Sequence, residues 1–569
     1  MNGRRPGNNT KWQRKQHKTL LGKKILKWEE EQAKIISRLP RAEREKEGWK
    51  RLRRNIGGEN LTQEVKLTVK GIESSDEKVI VQEVQDFWRK VIWKNYMTYE
   101  KVKIFSDRKS MRNIEIESQD IDNAVKALKI GKSAGTDGAV GEFIKYGGNS
   151  LKVYLQKLFQ KIIDTGEVPQ DWQRSRVTLL FKGGGKPRQE IGSYRPIAVM
   201  NMLAKVFGWI INRKLVTWAE ENKVLGEEQS GFRKGRGGLE NVLVIKEIME
   251  RNMKCGEELY LTFLDIEKAY DTVDRRKLME LLAHLGVEEN IVRVLKNLYT
   301  DNMVKFTLGN NTTKWMKNNV GVRQGCIISP TLFNFYIEEL IVRIRNSGYG
   351  VRVGDKKLGC LAYADDLVLM AESKEEMEEL LKIADNYGKE WNLKYSARKC
   401  KVMEVNSKEE GQWVLGNNIL EVVDKYNYLG LEIYQDGVGG EKQRKISEGK
   451  ARKMTGMIIN SGLRSVNRYE VGRSLWKAMA VPYCLYGSEI TQYREGDIAQ
   501  LEKIQNIIGR WSLGVPASTA VEAIRGEMGW SSFKERIEKG KFNFMKKIEG
   551  LAEDRWVKKI LAERNDMSR

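Results

Sequence analysis

Two short apolar runs, residues 358–364 and 367–371, flank the adjacent carboxylates Asp365 and Asp366. Each run has the length and composition of a buried strand, and the polar pair between them predicts a tight hairpin turn. An Asp-Asp pair in a turn can be simply solvated, because aspartate side chains readily accept turn N–H groups. At the edge of an apolar layer, however, two like charges repel and resist losing water. A bound divalent cation relieves both costs, so the pair is either a solvated turn or half of a metal site.

A second carboxylate helps to separate these readings. The stretch "ELYLTFLDIEKAYDTVDRRKLMELLAHLG" predicts a strand ending at Asp265, followed by a helix. Leu278, Leu281, Leu282 and Leu285 form one face of that helix, and Gly286 is its stop. Asp265 lies 100 positions before Asp365 (365 − 265). If the two strands are antiparallel neighbours, three carboxylates converge. Hard cations such as Mg²⁺ prefer such oxygen donors together with substrate phosphates.

Composition narrows the chemistry. The chain has 569 residues, with 101 Lys+Arg against 77 Asp+Glu and a net charge of +24, a balance that favours a polyanionic partner. Five scattered Cys and only two His, with no C-x-x-C, exclude a zinc finger on ligand count and suit a reducing compartment. Neither His lies near a nucleophile elbow, and His284 falls in an apolar helical pattern, where a packed role is expected. No apolar run reaches the length of a spanning helix, so no membrane is expected among the partners.

Residues 1–28 contain no acidic residue. They read either as a solvated basic arm or as a nucleic-acid contact, and the two are compatible. Residues 29–117 are charged and mostly helical in pattern. From Ser118 the chain reads as a capped helix, a Gly-containing loop and a further helix start. "VTLLFKGGG" is a strand over residues 177–181 that runs into Lys182. "VGVRQG" is a loop before an amphipathic helix, and "DGVGG" at 436–440 is a linker. Beyond it the pattern is helical and basic, with Ile498, Leu501, Ile504 and Ile508 on one face.

Eight segments, in this order, resemble the reverse transcriptases of non-LTR (LINE-like) retrotransposons. They are "GKSAGTDGAVGEF", "GSYRPIAVMNMLAKVF", "EEQSGFRKGRGG", "FLDIEKAYDTV", "GVRQGCIISPTLFN", "LAYADDLVLMAE", "KYSARKCKVM" and "YNYLGLEI". The resemblance spans about residues 118–434 and continues more weakly to about 537. It implies an α+β right-hand polymerase: a basic helical extension (1–117), fingers and an antiparallel palm sheet (118–436, core about 162–434), and a helical thumb region (437–569). The implied activity is RNA-directed DNA polymerisation with two Mg²⁺ ions, or Mn²⁺. The implied partners are template RNA, primer DNA, dNTPs and a separate endonuclease, with action in the nucleus. An intron-maturase-type reverse transcriptase and a non-catalytic RNA-binding relic are the rival readings.

The resemblance also implies roles for individual residues. Asp265, Asp365 and Asp366, with the carbonyl of Ile266, are implied metal ligands. Tyr270 is implied to lie beneath the nucleotide sugar; its plainer reading is a buried aromatic at a helix start. Gln324 and Gly325 are implied to contact nucleotide and template, and Lys182 and Arg195 the triphosphate. Lys399 stands where the family's pyrophosphate-protonating lysine stands, in a loop that has Ser396 where many relatives carry Asn. Tyr428, Leu429 and Gly430 form the implied primer grip.

Overall fold

The computed structural model describes residues 65–69, 71–94, 101–183, 185–408, 411–460 and 468–567. The basic arm within residues 1–28 lies outside them. The chain divides into two compact units, one built mainly from 64–430 with 552–569, the other from 437–551 with 431–433.

The larger unit is organised around a six-stranded sheet with strand order Cys360–Tyr363, Asp366–Ala371, Leu259–Asp265, Lys401–Val405, Asn418–Val422, Trp413–Leu415. All neighbours are antiparallel except Lys401–Val405 and Asn418–Val422, which run parallel. Leu259–Asp265 is buried at every position until Asp265, with Thr262 its one polar residue before that end. Such an unbroken run is expected of a strand covered on both faces. On one side Phe263 stacks against Tyr426, with ring centroids 4.1 Å apart. On the other, Tyr260 and Leu264 join the main core with residues of the helices Ser329–Ser347 and Lys374–Trp391.

The second of these helices shows how local sequence seats the sheet. The Ser373 hydroxyl accepts the Glu376 N–H at the N-terminus, and Asn392 closes the other end at φ 59°. Met377, Leu380, Leu381, Ala384, Tyr387 and Trp391 recur at three- and four-residue spacing and are all buried. Each large side chain contributes about 1.5–3 kcal/mol of burial. The helix Arg275–Leu285 likewise buries Leu278, Leu281, Leu282 and Leu285, and it stops at Gly286, φ 87°. His284 departs from the packed role expected of it: it is exposed on the helix, with Nε2 3.0 Å from the Ser106 carbonyl.

A second sheet carries Tyr194–Val199, Arg174–Phe181 and Met303–Leu308, with two short strands beyond. The part of the N-terminal extension that is described departs from the helical expectation. Leu67–Val69 and Ile72–Ser74 form a hairpin, and Glu77–Ile92 is a single helix whose Trp88 stacks on Phe306 at 5.0 Å. Residues 101–117 then run without a regular element, tied along the way by Phe105 N–H to Glu339 and Lys109 N–H to the Leu285 carbonyl. Val102, Ile114 and Ile116 are the buried anchors of this strap and carry no helical period, while Phe105 is exposed.

The smaller unit is helical, with Ile458, Trp476, Cys484, Ile504, Ile508 and Phe533 at its core. The expected helical region 437–569 is not one piece, because the last helix, Trp556–Met567, belongs to the larger unit. Ion pairs there join Arg555 to Glu240 and Arg564 to Glu247, both on the helix Gly238–Cys255. Among the described residues all five Cys are free thiols, and no helix is long and apolar enough to cross a membrane.

Candidate active site

The sheet brings the carboxylates to one end. Asp265, the last residue of its strand, is the register partner of Asp366, and Asp366 is also paired with Tyr363 across the hairpin. The turn is therefore Ala364–Asp365, and Asp366 is already the first residue of the returning strand, which starts one residue earlier than a turn at both aspartates would allow. Ala364 has φ 60°, a left-handed conformation unusual for a residue with a Cβ.

A segment with no expected role holds that turn. Gln229, fully buried, accepts the Ala364 N–H and the Gly231 N–H at its Oε1, each at 2.8 Å. Its backbone neighbours bracket the strand: Ala362 N–H donates to the Glu228 carbonyl, and Ser230 N–H donates to the Ala362 carbonyl. "EEQSGFRKGRGG" thus lies directly against the Asp-Asp hairpin. The only sequence signal for this is a polar Gln in a run that becomes buried.

The carboxylates perturb one another. Burial, then the charge of Asp265, raises Asp365 above the usual carboxylate range. Burial, then the charges of Asp365 and Asp265, pushes Asp366 up to about 6. Among the described residues no three acidic, Cys or His side chains are gathered at ligating distance as they stand. Instead Lys399 Nζ engages Asp265, 2.9 Å from Oδ1 and 3.0 Å from Oδ2. The donor chemistry nonetheless fits a hard divalent cation: three carboxylates, two of them raised by burial and neighbouring negative charge, with one ammonium against the third. The Lys399 loop is pinned to the strand end, with Ser396 N–H donating to the Asp265 carbonyl at 2.9 Å. Ile266, buried, bridges Tyr395 in the same loop.

The residues expected on the nucleotide side lie as follows. Tyr270 stacks on Phe333 with centroids 5.1 Å apart and planes at 12°, and its hydroxyl is buried without a partner. Burial, then the Asp365 charge, holds its ionisation far above the usual tyrosine range. Gln324 Nε2 donates to Asp271 Oδ2 at 3.2 Å, and its carbonyl accepts the Ala198 N–H at 2.7 Å. Gly325 has φ 101°, and a Cβ there would fall 2.8 Å from the Ala198 carbonyl, so the close approach requires glycine. Asp271 was not among the expected residues; burial pushes its carboxyl up to about 7 against the opposing charges of Lys268 and Lys182.

Lys182 donates to the Gly192 carbonyl at 2.8 Å. Burial, then the charges of Lys186, Lys399, Arg195 and Lys268, lowers its pKa. These cations therefore form one positive cluster beside the carboxylates, and Arg195 acts on Asp365 from the neighbouring strand. Tyr428 is buried at the end of the strand Lys425–Tyr428, 5.8 Å from the Phe263 ring. Leu429 and Gly430 follow with φ 51° and 82°. A Cβ at Gly238 would lie 3.1 Å from Leu429 Cδ1, so the turn rests on the glycine-rich end of the Gln229 segment.

An antiparallel sheet with carboxylates at its end, with Lys182 and Arg195 at a second sheet acting on the same region, is the palm-and-fingers arrangement of a right-hand polymerase. Residues 182–433 match the family model described as "Reverse transcriptase (RNA-dependent DNA polymerase)". The chain is 26% identical over 297 residues to a Pol polyprotein from the type-1 retrotransposable element R2 of Nasonia vitripennis, covering 50% of this chain and 28% of that protein. It is 23% identical to a probable RNA-directed DNA polymerase from transposon BS of Drosophila melanogaster, covering 66% and 42%. To the RNA-directed DNA polymerase from mobile element jockey of the same species it is 21% identical, covering 65% and 41%. Over residues 182–433 the chain is thus similar to reverse transcriptases, and these relatives come from retrotransposons and mobile elements. It spans less than half the length of each of these relatives.

Proposed function

We propose that the protein is an RNA-directed DNA polymerase that extends a primer 3′-OH with dNTPs on an RNA template. The observation that carries this reading is the register pairing of Asp265 with Asp366, with Asp365 in the adjoining turn, inside the reverse transcriptase domain. Phosphoryl transfer asks little covalent chemistry of the protein; it asks for positioning and for stabilisation of charge.

The residues divide that work. Asp265, Asp365 and Asp366 would hold two divalent cations, Mg²⁺ with Mn²⁺ as a substitute, and the Ile266 carbonyl would serve as a further ligand. Bound there, such cations activate the attacking hydroxyl and neutralise charge on the leaving pyrophosphate. Lys182 and Arg195 bind the triphosphate as point charge and fork. Lys399 Nζ exchanges Asp265 for the pyrophosphate oxygen and supplies its proton. The Tyr270 ring supports the sugar. Gln324, held by Asp271, orients the nucleotide against the template, and Tyr428, Leu429 and Gly430 seat the primer. Nuclear action with a separate endonuclease completes the reading.

Primer extension on an RNA template with Mg²⁺ or Mn²⁺ tests it. Asp365→Ala is expected to lower extension on the order of 10²–10³-fold while the fold persists. Near-normal extension by a well-folded Asp365→Ala protein would overturn the assignment.

A further inference from the structure

Phe232 breaks two rules at once. Its φ is 57°, in the left-handed region that a bulky side chain avoids, and it is 57% exposed. Its neighbours enforce both. Gly231 donates its N–H to Gln229 Oε1 at 2.8 Å and accepts Asn334 Nδ2 at its carbonyl at 2.7 Å. A Cβ on Gly231 would fall 2.3 Å from the Ala364 nitrogen. On the other side Arg233 is buried, with Nε and Nη2 on the Glu220 carboxylate at 2.7 and 2.8 Å and Nη1 on the Gln229 carbonyl at 3.0 Å. With both flanking residues pinned inward, the chain passes through positive φ and the Phe232 ring is held out in solvent.

Its position gives this arrangement a use. The segment starts against Ala364, the residue before Asp365, and its glycine-rich end lies against Leu429. Phe232 is on the short stretch of chain between the carboxylate turn and the candidate primer grip. Lys234 is exposed beside it, whereas Arg236 is bound by Glu227 at 2.7 Å. An exposed ring next to a free-standing ammonium suits a nucleic-acid strand, whose bases and sugars present flat apolar faces between phosphates.

The geometry points to Phe232 as a contact for the 3′-terminal nucleotides of the primer strand, with Lys234 near the adjoining phosphate. The primer is the strand whose 3′-OH must reach the carboxylates, and this segment is anchored beside them. The assignment rests on the polymerase reading and adds a binding residue to it.

The test uses the full chain. Equilibrium binding of a labelled primer–template is measured for wild type, Phe232→Ala and Phe232→Tyr, together with thermal unfolding. Phe232→Ala should weaken binding roughly 5- to 100-fold, the range for losing one stacking contact. Its salt dependence should be unchanged because no charge is lost, and its unfolding midpoint should not fall because the ring is exposed. Phe232→Tyr should bind like wild type. A photo-crosslinking benzophenone side chain placed at position 232 should label the primer near its 3′ end. Unchanged affinity in Phe232→Ala, or crosslinks confined to the template, overturns the assignment while wild-type extension still supports the polymerase. Failure of wild type to extend any primer overturns the polymerase reading and this inference with it.

Discussion

Tyr270 offers a perturbation in which stability and selectivity should move separately. Its ring lies flat against Phe333, and its hydroxyl is buried with no hydrogen-bond partner. An unsatisfied buried polar group costs about 1–3 kcal/mol, so removing it in Tyr270→Phe should leave stability unchanged or raise it by about 1 kcal/mol. The ring, and with it the surface proposed to lie beneath the sugar, remains. Tyr270→Val removes the ring: the stacked pair is worth about 0.5–1.5 kcal/mol beyond area burial. With the cavity left behind, the loss should total about 2–4 kcal/mol. Discrimination against a 2′-hydroxyl by a rigid ring is steric, and loss of such a wall forfeits about 1–3 kcal/mol, or roughly tenfold or more in the rNTP:dNTP efficiency ratio. The assay is single-nucleotide incorporation with both sugars for wild type and the two variants, beside urea unfolding. The expected pattern is a Phe variant that is selective and at least as stable, and a Val variant that is destabilised and permissive. A Val variant that is destabilised but as selective as wild type would refute the argument and make Tyr270 a core aromatic only.

Two further predictions concern the support of the site. Gln229→Leu leaves the buried N–H groups of Ala364 and Gly231 without their acceptor, so stability measured by denaturant should fall by about 2–5 kcal/mol. Extension per folded molecule should fall with it, and an unchanged unfolding midpoint would show that the turn stands without this residue. Glu338 is buried, and loss of water pushes its carboxyl up to about 7 although Arg345 lies 3.3 Å away. The folded state therefore keeps a proton that the unfolded chain releases near 4.5, and stability should fall as pH rises between these values. Glu338→Gln should abolish that fall, gaining up to about 3 kcal/mol at pH 8 and nothing at pH 4; equal pH profiles for both proteins would count against it.

How much of this was legible in the sequence depends on how far apart the partners lie. The helix Arg275–Leu285, its leucine face and its glycine stop follow from neighbouring residues, and they appear as the spacing predicts. The Asp365–Asp366 pair is conspicuous because two charges interrupt apolar runs, and Asp265 is conspicuous as the polar end of an apolar strand. Gln229 carries no such local mark. It acts on Ala364 across 135 positions, and nothing in its neighbours announces the contact. The Lys399–Asp265 ion pair spans 134 positions and became legible only by resemblance. The strap over residues 101–117 and the return of Trp556–Met567 to the larger unit failed for a related reason. Charge-rich composition predicts solvated helix, whereas tertiary contacts with Glu339, Leu285 and Glu240 decide where these segments go.

What unites the site is where the backbone departs from its local preferences. Eight non-glycine residues have positive φ among the described residues, and three of these are Asn or Asp, which tolerate it. Of the other five, Ala364 precedes Asp365, Leu429 lies in the candidate primer grip, Lys268 is two residues from both Ile266 and Tyr270, and Phe232 lies in the segment that holds Ala364; Lys223 has no such place. Each is held by something outside its own turn, or by its immediate continuation. Ala364 is held by Gln229, and Phe232 by the anchored Gly231 and Arg233. The Lys268 carbonyl accepts the Asp271 N–H at 2.7 Å while its ammonium lies 4.6 Å from the Phe87 ring centre; Leu429 rests on Gly238. A left-handed residue redirects the chain within one step, so the side chain that follows or precedes it leaves the sheet at an angle regular strands do not provide. That is what Asp365 and the candidate primer-grip turn require. The strain, about 1–3 kcal/mol at each position, persists because buried hydrogen bonds and packing from distant segments over-determine it. Pre-organisation of this candidate site is therefore a tertiary property: residues 229–238 hold the carboxylate turn through Gln229 and lie against the Leu429 turn at Gly238.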